Sequence, residues 1–121
     1  MLKYLKSKPF IIRFMLILLI IEIIFFINYK VIFGSGSSMN PLIEDGSILI
    51  CDYTKNYKLN DIIYFTVGNK HIVHRITKIT EYKLTDNSVI KGYQTKGDNN
   101  KEADMFEIYD ENIICKVVFY T

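Results

Sequence analysis

The sequence lacks the clusters of cysteine and histidine that bind metals in proteins. Its 121 residues include two cysteines and two histidines, with no C-x-x-C motif and no paired His/Cys spacing, so we expect no metal site. Cys51 and Cys115 each lie in an apolar, strand-like context. That context favours two thiols in the core, and a disulfide remains the alternative, because one pair cannot be assigned from sequence.

An excess of basic charge is also missing. The formal net charge is +2, and from Gly34 onward ten Lys/Arg residues stand against twelve Asp/Glu residues. Nucleic-acid binding requires a clustered basic face, so this composition gives it no support. The chain has no internal repeats and no low-complexity tail, and its length predicts one small domain with an anchor.

One long hydrophobic run is present near the N-terminus. Residues 10–29 match the roughly 20 residues that cross the hydrocarbon core as a helix, although Arg13, Glu22 and Asn28 interrupt the run. The run is longer than the apolar region of a typical signal peptide, and no A-x-A cleavage site follows it. We therefore expect an uncleaved transmembrane helix over residues 10–30, with a cleaved signal peptide as the alternative.

Basic residues predict the orientation of this helix in the cell membrane. Three lysines precede the run and Arg13 lies near its start. Positive charge marks the cytoplasmic side of a membrane helix. The sequence thus predicts a single-pass protein with a cytoplasmic tail at residues 1–9 and the remaining domain on the extracytoplasmic face.

Beyond the hydrophobic run, short β-prone segments alternate with turn residues. Small residues predict a flexible exit segment over 31–37, followed by a β domain over 38–121. The predicted strands are Ser47–Tyr53, Asp61–Val67, His71–Ile79, Tyr82–Thr85, Val89–Thr95 and Ile113–Tyr120. Runs of this length and composition, separated by turns, predict a small antiparallel all-β fold.

Three residue types in separate segments provide the chemistry of a serine hydrolase. Ser38 opens the sequence Ser-Met-Asn-Pro, His74 lies in a predicted strand, and Asp98 and Asp104 lie in or after Thr-Lys-Gly-Asp-Asn-Asn. A serine hydroxyl needs a base to become a nucleophile, histidine suits that role, and a carboxylate can fix the histidine tautomer. Taken singly, each has a structural explanation: a linker serine, a core histidine and a turn aspartate.

Taken together, these segments resemble the type I signal peptidases. The match is closer to the endoplasmic-reticulum-type branch, also found in archaea and some Gram-positive bacteria, which has a histidine in place of the lysine base. The resemblance rests on Ser-Met-Asn-Pro at 38–41, Val-His-Arg-Ile at 73–76, and Thr-Lys-Gly-Asp-Asn-Asn at 95–100 followed by Asp104. It implies the small all-β catalytic core of that family and an enzyme that needs no cofactor.

The resemblance also implies roles for individual residues. Ser38 would be the nucleophile that forms the acyl-enzyme, and His74 the general base. Asp104 matches the acid of the charge-relay position and is favoured for that role. Asp98 matches the aspartate that opens the conserved loop, and it remains the alternative acid or a brace for the loop.

The implied activity is removal of signal peptides from translocated preproteins by a membrane serine endopeptidase. Substrates would carry small residues at the first and third positions before the scissile bond, and Met39 and Pro41 are expected to contact them. The expected partners are these signal peptides, the lipid bilayer and subunits of the secretion machinery.

Departures from the family pattern leave a second class of function open. Gly36 stands where bacterial members often have a serine that donates to the oxyanion hole, although the backbone N–H of Ser38 could still serve. Ser47, Asn60 and Cys115 also differ from the common residues. The alternative is a catalytically decayed, membrane-anchored β module that acts as a scaffold or secretion-complex subunit. Retention of the Ser/His/Asp set favours the enzyme.

Overall fold

The structure, a computed structural model, describes residues 2–121, with side chains described from residue 8 onward. It begins with one long helix, α1, over Leu2–Asn28. The part Lys8–Asn28 has a mean hydropathy of 2.9, and none of it is buried within the protein. A helix of this length and apolarity is a candidate membrane anchor.

The rest of the described chain forms one antiparallel sheet and a short 3₁₀ turn over Asp110–Asn112. The strands are β1 (Tyr29–Phe33), β2 (Ile48–Asp52), β3 (Ile62–Val67), β4 (Lys70–Lys83), β5 (Val89–Lys96), β6 (Glu107–Tyr109) and β7 (Ile113–Tyr120). Their order across the sheet is β1-β2-β7-β3-β4-β5-β6. The prediction of a small antiparallel β fold preceded by an apolar helix is confirmed.

Three details of the sheet differ from the prediction. Residues 31–33, assigned to a flexible exit segment, belong to β1 because Val31, Ile32 and Phe33 pair with Ile50, Leu49 and Ile48 of β2. The runs predicted at His71–Ile79 and Tyr82–Thr85 join into one strand, β4, which ends at Lys83 and pairs with β5 from Arg75 onward. The edge strand β6 has only three residues, too few to give a periodic signal.

Two buried clusters lie against the sheet. The larger contains Tyr57, Ile63, Phe65, Ile76, Tyr93, Ile108 and Ile113. The smaller contains Ile32, Met39, Ile43, Leu49 and Ile62. Because the smaller cluster includes residues from β1 and from the segment after it, it fixes that segment against the sheet.

Cys51 and Cys115 form a disulfide, with an S–S distance of 1.99 Å and a Cα–Cα distance of 5.5 Å. The expectation of two thiols is therefore wrong. The physical reason is the adjacency of β2 and β7, which brings two fully buried cysteines within bonding distance although 64 residues separate them. That adjacency depends on sheet order, which the spacing of two cysteines does not reveal.

Candidate active site

Ser38 lies in the turn that follows β1, and backbone hydrogen bonds hold both sides of this turn. Gly34 donates its N–H to the carbonyl of Ser47 at 2.7 Å, and Gly46 donates to the carbonyl of Gly34 at 2.8 Å. The next residue, Met39, is only 3 % exposed and belongs to the smaller core cluster. Burial of Met39 therefore anchors the backbone that carries Ser38.

His74 lies on β4 opposite Ile63 of β3, and its ring packs edge-on against Phe65. Its Nε2 atom is 3.1 Å from Ser38 Oγ, and its Nδ1 atom is 2.6 Å from Asp104 Oδ2. The residue is 7 % exposed. The three side chains thus form a continuous hydrogen-bonded chain, in which a neutral imidazole protonated on Nδ1 would present the Nε2 lone pair to the serine hydroxyl.

Asp104 reaches His74 because the chain after β5 folds back beside that strand. The Asp104 N–H donates to the Thr95 carbonyl at 2.8 Å, and the Thr95 hydroxyl donates to Asp104 Oδ2 at 2.6 Å. Side-chain exposure is 9 % for His74 and 11 % for Asp104. This carboxylate therefore meets the histidine in a place largely shielded from water.

Asp98 lies elsewhere and forms a bidentate ion pair with Arg75. Arg75 Nε donates to Asp98 Oδ1 and Nη2 donates to Oδ2, both at 2.9 Å. Hydrogen bonding from Arg75 lowers the pKa of Asp98 and, reciprocally, raises the pKa of Arg75. Arg75 also donates to the carbonyl of Asn60 at 2.8 Å. Of the two candidate acids, Asp104 contacts the histidine, whereas Asp98 joins the loop to β4.

The loop after β5 also holds the nucleophile turn in place. Asn99 donates its N–H to the carbonyl of Ser38 at 2.8 Å and its side-chain amide to the carbonyl of Ser37 at 3.1 Å. A Cβ at Gly97 would lie 2.7 Å from the carbonyl oxygen of Ser38 and 3.0 Å from His74 Nε2. Only a residue without a side chain allows this approach.

Sequence reasoning assigned no role to Thr95, Gly97 or Asn99 individually. All three lie within the Thr-Lys-Gly-Asp-Asn-Asn segment, which carried part of the family resemblance and in which only the aspartate was given a role. The segment itself was therefore the available signal.

A cleft of about 610 Å³ opens beside Ser38. One wall is β1 from Lys30 to Phe33, and the other is β4 from His71 to His74. Within the described chain, β1 pairs only with β2, and β5 pairs with β4 only from Arg75 onward, so both walls present an open strand edge. The cleft thus lies between two unpaired backbone edges.

Met39 and His71 line this cleft, but Pro41 does not. Met39 is buried beneath Ser38, whereas Pro41 is exposed. His71 is exposed, and it stacks on Tyr64 with ring centroids 5.6 Å apart.

The backbone N–H of Ser38 donates to no protein group in the part of the chain that the structure describes. The Gly36 N–H, by contrast, donates to Asp45 Oδ1 at 3.0 Å. The Ser38 N–H is thus a backbone donor beside the nucleophile that an oxyanion could use. Among the described residues, no group of three or more His, Cys, Asp or Glu side chains could hold a metal.

Comparison with known proteins agrees with this geometry. A family model described as Peptidase S24-like matches residues 28–101, more than half of the chain. The chain is also similar to signal peptidase I W of Bacillus subtilis (strain 168), with 39 % identity over 82 residues. That alignment covers 64 % of this chain and 40 % of the relative, so the chain spans about two-fifths of the relative's length. The family match includes Ser38 and His74 and ends three residues before Asp104.

Proposed function

The chain belongs to the Peptidase S24-like family and is related to type I signal peptidases, and from this premise we propose that it is a membrane-anchored serine endopeptidase. Its proposed reaction is the removal of N-terminal signal peptides from translocated preproteins. The observation that carries the proposal is the continuous contact from Ser38 through His74 to Asp104. A scaffold module would have no physical need for that arrangement.

In the proposed mechanism, His74 Nε2 takes the proton of Ser38 Oγ as this oxygen attacks the scissile carbonyl carbon. The Ser38 N–H stabilises the resulting oxyanion. His74 then donates the proton to the leaving amine, the C–N bond breaks, and an ester to Ser38 remains. A water molecule, deprotonated by His74, hydrolyses this ester and restores the serine hydroxyl. Asp104 keeps the Nδ1 proton in place throughout.

The two open strand edges support binding of the substrate as an extended segment. An added strand would form main-chain hydrogen bonds with β1 on one side and with residues 71–74 of β4 on the other. Alternate side chains would then point into the cleft. We propose that small residues occupy the first and third positions before the scissile bond, as in the family.

The proposed location is the extracytoplasmic face of the cell membrane, with α1 as the anchor and residues 1–9 in the cytoplasm. The basic residues before the apolar run support this orientation. The Cys51–Cys115 disulfide is an independent argument, because disulfides persist mainly in oxidising compartments outside the cytoplasm. The proposed partners are signal peptides, the bilayer and subunits of the secretion machinery.

The test is cleavage of signal-peptide-bearing precursors by the full chain in liposomes. Ser38→Ala and His74→Ala should lower kcat by about 10⁶-fold, because a triad fails as a unit. Asp104→Asn should lower kcat by up to about 10⁴-fold, because control of the His74 tautomer is lost. Asp98→Asn should lower kcat much less. Ser88→Ala, in the turn between β4 and β5, is the matched serine control and should retain full activity.

Two results would contradict the proposal. Activity that survives Ser38→Ala would assign cleavage to another group or to a contaminant. A wild-type chain that is folded but inactive on several precursors would favour the scaffold function instead.

A further inference from the structure

We infer that Thr95 is a positioning residue of the proposed peptidase: its hydroxyl fixes the Asp104 carboxylate oxygen that His74 uses. This inference rests on the proposed function. Thr95 is fully buried at the end of β5, next to the site and without access to the cleft. A buried hydroxyl must find a hydrogen-bond partner, and here that partner is a catalytic carboxylate.

Thr95 and Asp104 are joined by two hydrogen bonds, one donated by each residue. The Thr95 hydroxyl donates to Asp104 Oδ2 at 2.6 Å, while the Asp104 N–H donates to the Thr95 carbonyl at 2.8 Å. The backbone bond fixes where Asp104 stands, and the hydroxyl bond fixes how its carboxylate is rotated. Both are needed, because a carboxylate held only by its backbone can still turn about χ2.

The same oxygen, Oδ2, accepts from both Thr95 and His74. A threonine hydroxyl that donates to this oxygen holds it in place as an acceptor, turned toward His74 Nδ1. An Oδ2 acceptor in this orientation keeps the imidazole proton on Nδ1. Nε2 then remains free to accept the proton of Ser38. Thr95 thus acts on the nucleophile through two intervening side chains.

Thr95→Val tests this inference, because valine matches the shape of threonine and removes only the hydroxyl. Loss of tautomer control in a serine protease costs about 10⁴-fold. Removal of one of the two contacts that orient the carboxylate should cost less, so we expect kcat to fall about 10- to 100-fold. KM should stay within about twofold, since Thr95 does not line the cleft. Thr95→Ser, which restores a hydroxyl, should recover most of the rate.

A readout independent of activity is the tautomer of His74, measured from imidazole ¹⁵N shifts of the full chain in detergent micelles. The chain has two histidines, so His71→Gln identifies the His74 signals. We expect the Nδ1–H tautomer in the wild type and a mixture of tautomers in Thr95→Val. Thr77→Val is the matched control, because its hydroxyl donates to the Gln94 carbonyl at 3.2 Å, away from the site.

The outcomes separate this inference from the proposed function. A wild-type kcat and an unchanged His74 tautomer in Thr95→Val would overturn the positioning role. A lowered melting temperature with both readouts unchanged would overturn it as well and leave a purely structural threonine. If no precursor is cleaved by the wild type, the proposed function fails, while the tautomer measurement still decides what Thr95 does to His74.

Discussion

Gly97→Ala should lower the activity of the site, and the protein should still fold. A methyl group at this position would lie 2.7 Å from the Ser38 carbonyl oxygen, 2.7 Å from Asn100 Nδ2 and 3.0 Å from His74 Nε2. Ordinary contacts begin near 3.4 Å, so the Ser38 oxygen must retreat by about 0.7 Å and the histidine ring by about 0.4 Å. The Asn100 amide is the end of a flexible side chain and can move away at little cost.

The other two groups cannot move so freely. The Ser38 carbonyl accepts the Asn99 N–H at 2.8 Å, and the His74 ring is held by Asp104 and Phe65. Displacement therefore falls on the 3.1 Å contact between His74 Nε2 and Ser38 Oγ. A misplacement of about 1 Å can cost roughly 10²-fold in rate. We expect kcat/KM to fall by about 10- to 100-fold, with a loss of about 1–3 kcal/mol of stability from overpacking.

The assay is precursor cleavage in liposomes, combined with thermal unfolding. Gly68→Ala is the informative control, because its φ is +59° and no atom would lie within 4 Å of the added carbon. That substitution introduces backbone strain of about 1–2 kcal/mol without a clash, so it should lower stability and preserve kcat/KM. If Gly97→Ala retained wild-type kcat/KM, the close approach would have no bearing on the chemistry.

Two further predictions concern stability. Asp98→Asn should lower the free energy of unfolding by about 1 kcal/mol at pH 7. Arg75 holds the pKa of Asp98 below its ordinary 3.8. The stability that the ionised Asp98 contributes is therefore present above pH 3.8 and is lost as the pH falls through the lowered pKa. Denaturant melts of both proteins should therefore converge in acid, and a constant difference would refute the charge-based explanation. Replacement of Cys51 and Cys115 by serine should cost about 4 kcal/mol, because the bridge closes a loop of 64 residues in the unfolded chain. Unfolding in urea measures the loss, and an unchanged midpoint would contradict it.

The sequence predicted the fold class and most of the strands because hydrophobic patterning and turn residues are local signals. It did not predict β1, since Tyr29–Phe33 directly continues the apolar run and has no boundary of its own. It did not predict the disulfide, because the pairing of Cys51 with Cys115 requires that β2 lie beside β7. Both features depend on contacts between distant segments, which local patterns do not report.

The candidate site shows the same division between local and distant information. Residue types and a family resemblance selected Ser38, His74 and two aspartates. Asp104 contacts His74 whereas Asp98 contacts Arg75, and this difference arises only when the loop after β5 folds back along that strand. Thr95 could not be recognised from its residue type, because a buried threonine in a strand is ordinary and its importance lies in which carboxylate it meets.

Sheet pairing, rather than a flexible tether, sets the position of Ser38 relative to α1. The helix ends at Asn28 and β1 begins at Tyr29, and the Asn28 carbonyl already accepts the Tyr53 N–H at 3.1 Å. All five residues of β1 then pair with β2, and Gly34 is hydrogen-bonded through both its N–H and its carbonyl. The strand that leaves the helix is also one wall of the cleft. Under the proposed topology, a signal peptide that emerges from the bilayer would therefore lie beside α1. The length of β1 would then set the distance from the membrane at which the scissile bond meets Ser38.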